Sequence, residues 1–102
     1  MNEIINVDEF NNIIKDNDRV LIKFYSISCA PCRRLARLIS ESDLEKIIPI
    51  YKINAVDNLE LSDKYSISAV PCILYFVNGE PIHSFHGLVS INKIKEMIKW
   101  FK

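Results

Sequence analysis

"RVLIKFYSISCAPCRRLARLI" runs from Arg19 to Ile39. Its first part, Arg19 to Ser26, is short, mostly apolar, β-branched and aromatic. That composition predicts a buried central strand. From Pro31 the spacing turns helical, with Leu35, Leu38 and Ile39 on one face. Proline is tolerated in a helix's first turn, where its missing N–H has no partner to lose. Between strand and helix stand Ser28, Cys29, Ala30, Pro31 and Cys32. Two cysteines so spaced suit half a zinc site, a structural disulfide or a redox pair, and their surroundings must decide between them.

Helix N-termini present unpaired N–H groups and a partial positive charge. A thiolate there is stabilised, and its pKa can fall from about 8.5 to about 7 or lower. Cys29 stands at the mouth of the predicted helix and Cys32 one turn in, on the same side. The inference is a nucleophile, Cys29, and a resolving thiol, Cys32, that exchange with a substrate disulfide through a mixed disulfide. The competing reading is a metal or iron–sulfur site through Cys29, Cys32 and Cys72. A closed zinc site wants four ligands, often from two such knuckles. This chain has one knuckle, a third cysteine, and His83 and His86 outside knuckle spacing.

The rest of the chain extends the alternation. Asp8 is expected to cap a helix carrying Phe10, Ile13 and Ile14 on one face, with a short strand before it at Ile4–Ile5. The helix after the cysteines is expected to kink near Ser40 to Asp43 and to end before Pro49. Ile50–Asn54 and Cys72–Val77 read as strands, with a short helix around Leu59–Tyr65 between them. Asn78-Gly79 is a hairpin signal, so Pro81–His86 pairs back as an edge strand, where its leading proline does no harm. Gly87 breaks it. Ser90 caps a last helix with Ile91, Ile94, Ile98 and Phe101 on one face. Phe24, Tyr25, Tyr75 and Phe76 read as core, and Trp100 as packing the last helix. Strands alternating with helices predict an α/β sheet covered on both faces and closed by one antiparallel hairpin.

Bulk properties narrow the function classes. The chain has 102 residues, 13 basic and 13 acidic, for a formal net charge of zero. That length is one ordinary domain. A nucleic-acid binder would show a clustered basic excess, and none is present. The start, MNEIINVDEF, has no basic leader followed by an apolar stretch, and no apolar run approaches a membrane span. A cytoplasmic protein is therefore expected. There a Cys-X-X-Cys is more often catalytic or metal-binding than a structural bridge. Three cysteines also preclude a fully paired framework within one chain.

Five pieces together resemble the thioredoxin family: "KFYS..C.PC" (Lys23–Cys32), "YKIN" (Tyr51–Asn54), "KYSISAVP" (Lys64–Pro71), "FVNGE" (Phe76–Glu80) and "HGLVS" (His86–Ser90). They occur in the family's order and span nearly the whole chain. The resemblance implies a thioredoxin fold over residues 1–102 as one domain, with a central mixed sheet of four to five strands flanked by about four helices. It implies a cis Val70–Pro71 bond facing the cysteines, which sequence alone would not give. The backbone of Val70 would pair with a substrate like an added strand, in a groove formed with Ala30, Pro31, Pro71, His86 and Gly87.

Departures from the family pattern are equally specific. Ser28 replaces the usual tryptophan, Ala30 the usual glycine, and Arg37 the usual helix-kinking proline. Lys23 replaces a buried aspartate behind the second cysteine, and Lys52 matches a family lysine nearby. If Lys23 points at Cys32, its charge favours the thiolate and a more oxidising protein. Otherwise it snorkels away or is neutral through desolvation. Cys72 is either a third thiol near the pair or a small buried hydrophobe. His86 either touches the thiolate or lies exposed on the edge strand, and His83 reads as surface.

The implied activity is a thiol–disulfide oxidoreductase acting on protein disulfides as a monomer. It needs no bound cofactor and takes electrons from a reductase or another dithiol. A glutathione-coupled, glutaredoxin-like reductase is the variant reading; the N-terminal helix and strand argue against it.

Overall fold

The computed structural model describes residues 1–101; Lys102, the last residue of the expected domain, lies outside them. The elements are β1 (Asn2–Ile4), α1 (Val7–Asp16), β2 (Arg19–Tyr25), α2 (Ala30–Ser40), α3 (Leu44–Ile47), β3 (Ile50–Asn54), α4 (Leu59–Lys64), β4 (Cys72–Val77), β5 (Glu80–His86) and α5 (Ile91–Trp100). The strands form one sheet in the order β1-β3-β2-β4-β5. The β1–β3 and β3–β2 pairs are parallel, and the β2–β4 and β4–β5 pairs antiparallel. The sheet is therefore mixed, as expected, with β2 in the middle and β5 on the edge.

Alternation along β2 serves two cores at once. Leu21 points into one with Leu35 and Ile39 of α2, Leu44 of α3, Ile73 and Tyr75 of β4, and Ile94 and Ile98 of α5. Val20, Ile22 and Phe24 point into the other with Phe10 of α1, Leu61 of α4, and Leu74 and Phe76 of β4. Residues Val20 to Phe24 are all buried, which is why the strand reads as a continuous apolar run. The exception inside that run is Lys23, on the Leu21 face.

Tyr75 ties the last helix to the sheet. Its hydroxyl accepts from Arg19 Nε at 2.9 Å and donates to the Phe101 carbonyl, while the Arg19 guanidinium donates to the Ile98 carbonyl at 2.8 Å. The Asn78-Gly79 turn has φ of 51° and 81°. Two positive φ values fit the tight hairpin that this dipeptide favours.

The structure corrects several expectations. Asn6, not Asp8, caps α1: its Oδ1 accepts the Glu9 N–H at 2.8 Å. Asp8 lies inside the first turn, where its charge faces the positive end of the helix. The expected kink after α2 is a full break, so the described residues form five helices. Ser42 Oγ donates to the Ile39 carbonyl and accepts the Leu44 N–H, closing one helix and opening the next. Leu38 faces solvent, while Leu35 and Ile39 are buried. Trp100 does not pack α5 against the sheet; it is 74% exposed, and Phe101 is exposed just beyond the helix. The first strand lies at Asn2–Ile4 rather than Ile4–Ile5.

Candidate functional site

Cys29 is the N-cap of α2, with extended backbone at φ −93° and ψ 106°. Its sulfur accepts the Cys32 N–H at 3.1 Å, so the sulfur occupies the place a serine or aspartate oxygen takes in an ordinary cap. The two residues are joined by a disulfide across a Cα–Cα distance of 5.2 Å. Cys29 is partly exposed, whereas Cys32 is 3% exposed beneath it. This asymmetry leaves one sulfur reachable by a large substrate and one sheltered.

The Val70–Pro71 bond is cis, as the resemblance implied. It places the Val70 carbonyl 3.7 Å from Cys29 Sγ. Gly87, at φ 73°, donates its N–H to the Pro71 carbonyl at 2.9 Å and so holds the end of β5 against this loop. An open groove of about 400 Å³ runs past the pair, lined by Ala30, Pro31, Val70, Pro71 and Gly87 with Arg34 and Leu88. Five of the residues expected in the groove are thus together, and His86 is the exception. It lies exposed on β5 with its Nε2 2.9 Å from Ser84 Oγ and its Nδ1 3.9 Å from Cys72 Sγ.

Cys72 lies on the α1–α4 side of the sheet, 2% exposed, and borders a separate cavity with His86. Burial pushes its thiol pKa up. Its burial fits the reading as a small hydrophobe. Among the described residues, no three His, Cys, Asp or Glu side chains converge where they could hold a metal ion.

Lys23 is 2% exposed and pairs in register with Lys52 of β3. It does not snorkel out. Desolvation first, and the charge of Lys52 second, lower its pKa to about 8. Lys23 and Cys32 line one cavity of about 260 Å³ behind the disulfide, with Lys52, Arg33 and Tyr25. Tyr25, which reads as core in the sequence, is only partly buried. The Lys23 and Lys52 ammonium groups lie 5.9 and 5.6 Å from its ring centroid, within cation–π range. Its hydroxyl donates to Glu3, and its pKa rises to about 12, through desolvation first and then that bond. Tyr25 is two residues from Lys23, and strand alternation alone puts both on one face.

The thioredoxin family model matches residues 2–100. The chain belongs to the thioredoxin family. It is similar to a thioredoxin of Rickettsia bellii, 35% identical over 88 residues that cover 84% of each chain. A thioredoxin of Mycoplasmoides gallisepticum is 27% identical, covering 97% of this chain and all of the relative. A solved mutant thioredoxin from Halobacterium salinarum superposes with a TM-score of 0.89 at 26% identity, over 98% of this chain and 88% of that one. Thioredoxins are disulfide oxidoreductases that act on protein disulfides. With its bonded Cys29–Cys32 pair, this thioredoxin-family chain is a thiol–disulfide oxidoreductase. Among the described residues no helix is long and apolar enough to cross a membrane.

Proposed function

We propose that Cys29 is the attacking thiol and Cys32 the resolving one, in a cytoplasmic, monomeric enzyme whose 102 residues act as one domain. Substrate lies in the groove beside Val70, pairing with its backbone as an added strand. The Cys29 thiolate attacks one sulfur of the substrate disulfide, forming the mixed disulfide and releasing the other sulfur as a thiolate. Cys32 then attacks Cys29, freeing the reduced substrate and closing the Cys29–Cys32 bond. Lys23 and Lys52 favour negative charge on the pair. A reductase or a small dithiol returns two electrons. Because Ser28 stands where the family has tryptophan, that reductase reads a different surface beside Cys29.

The observation that carries this reading is the partly exposed Cys29 at the helix N-terminus, its sulfur accepting the N–H of the sheltered Cys32 at 3.1 Å. The test is dithiothreitol-driven reduction of insulin. Cys29→Ser is expected to abolish it, and Cys32→Ser to accumulate a mixed disulfide with substrate visible by mass spectrometry. A Cys29→Ser variant of undiminished activity, or a mixed disulfide on Cys32, overturns the assignment.

A further inference from the structure

The cavity behind Cys32 gathers three cationic side chains, Lys23, Lys52 and Arg33, and no carboxylate lines it. Among the described residues the ion pairs are Met1–Glu45 and Lys95–Asp43, both elsewhere. Arg33 donates to the Ile27 carbonyl at 2.9 Å, which fixes its guanidinium at the cavity rim. Glu3, which pairs in register with Lys52, is engaged by the Tyr25 hydroxyl. Lys23 is thus a cation on a buried side chain with no ion pair among the described residues, its ammonium reaching only the cavity, and desolvating an unpaired charge is costly. A cavity of about 260 Å³ has room for an ion and several waters, each claiming roughly 30 Å³. It opens to solvent beside the exposed Ile27.

We propose that this cavity binds a small inorganic oxyanion of the size and charge of phosphate when the Cys29–Cys32 pair is oxidised, and releases it when the pair is reduced. This inference rests on the redox role assigned to the pair above. In the oxidised protein Cys32, which lines the cavity with Lys23, is held in a neutral disulfide, so a bound anion supplies the missing counter-charge. A dithiol donor breaks the Cys29–Cys32 bond, passes two electrons to the pair and is itself oxidised to a disulfide. Of its two protons, one remains on the pair and the other goes to solvent. The pair then carries one thiol and one thiolate. The negative charge of the reduced pair, reaching the cavity through Cys32, takes over the counter-charge role, and the anion leaves. Binding that favours the oxidised form lowers the reduction potential as the anion is raised.

The experiment is the midpoint potential of the pair in dithiothreitol redox buffers at pH 7 and constant ionic strength, with phosphate exchanged for a bulky sulfonate. One anion released per two electrons predicts a fall of about 30 mV per tenfold rise in phosphate once the oxidised site fills. Sulfate should act alike. Lys23→Met is expected to flatten the dependence, and Lys52→Gln, at a partly exposed position that tolerates change, to weaken it. In parallel, phosphate should raise the melting temperature of the oxidised protein and not of the reduced one. A flat potential in a protein that still reduces insulin overturns the anion site and leaves the oxidoreductase reading intact. A slope undiminished in both lysine variants overturns it too, because ordinary charge screening then explains the effect. Failure to reduce insulin at all counts against the redox role assigned to the pair.

Discussion

At the scale of single residues, Lys23 bears an uncompensated cost of burial. Its native pKa of about 8 lies below the ordinary value of 10.5. Below pH 8 the lysine is charged in both folded and unfolded chains, and the folded chain bears the whole cost of its burial. Between pH 8 and 10.5 the unfolded chain holds the extra proton, so this residue's contribution to stability rises with pH. A shift of this size corresponds to about 3 kcal/mol. Lys23→Met keeps the shape of the side chain and removes the charge, a kind of exchange that is often stabilising. In phosphate-free urea titrations, oxidised Lys23→Met should exceed the parent in stability by up to about 3 kcal/mol at pH 7, the margin closing towards pH 10.5. A margin that is constant across that range would mean the lysine's protonation does not differ between the folded and unfolded states.

Elements show what a sequence discloses and what it leaves open. β3 and β4 fall on their expected bounds, because short β-branched runs between turn residues leave little choice of pairing. The Ser90 cap also holds, its Oγ accepting the Lys93 N–H. The α1 cap is not decided by the sequence, because Asn6 and Asp8 both have capping side chains, and only the path of the chain from β1 selects between them. Likewise, helical spacing groups Leu38 with Leu35 and Ile39, but the stripe that faces the sheet is too narrow for all three. His86 lies exposed on the edge strand, one of the two states the sequence allows; the choice between them follows only once the register is known, and Cys72↔His86 is the observed pairing. Neither the ring of Tyr25 between two ammonium groups nor the cavity behind Cys32 has a local signature. Both arise where β2, β3 and α2 meet. The cap assignment has a direct check. Asn6→Ala should lower stability by about 1 kcal/mol, a fall in melting temperature of roughly 4–8 °C. Asp8→Ala should cost less, since it loses only an exposed charge near the helix end. Equal costs in thermal unfolding would place the cap elsewhere.

For the whole molecule, redox state and folding stability are parts of one thermodynamic cycle. The native pair and the same pair in the unfolded chain have different potentials, and that difference equals the gap in stability between oxidised and reduced protein. About 30 mV corresponds to about 1.4 kcal/mol for two electrons. Two features of the fold act on the gap in the same direction. In the proposed mechanism the N-terminus of α2 and the charge of Lys23, which shares a cavity with Cys32, both stabilise a thiolate that exists only after reduction. In the oxidised protein, Lys23 instead faces a neutral disulfide. Lys23→Met should therefore move the gap towards the oxidised form, stabilising the oxidised protein more than the reduced one. Urea titrations of both proteins, oxidised and reduced, at pH 7 in phosphate-free buffer measure it without any substrate. The change in the gap must match the independently measured fall in potential when converted at that rate. If Lys23→Met alters both forms equally, the lysine contributes to folding but does not sense the state of the disulfide above it.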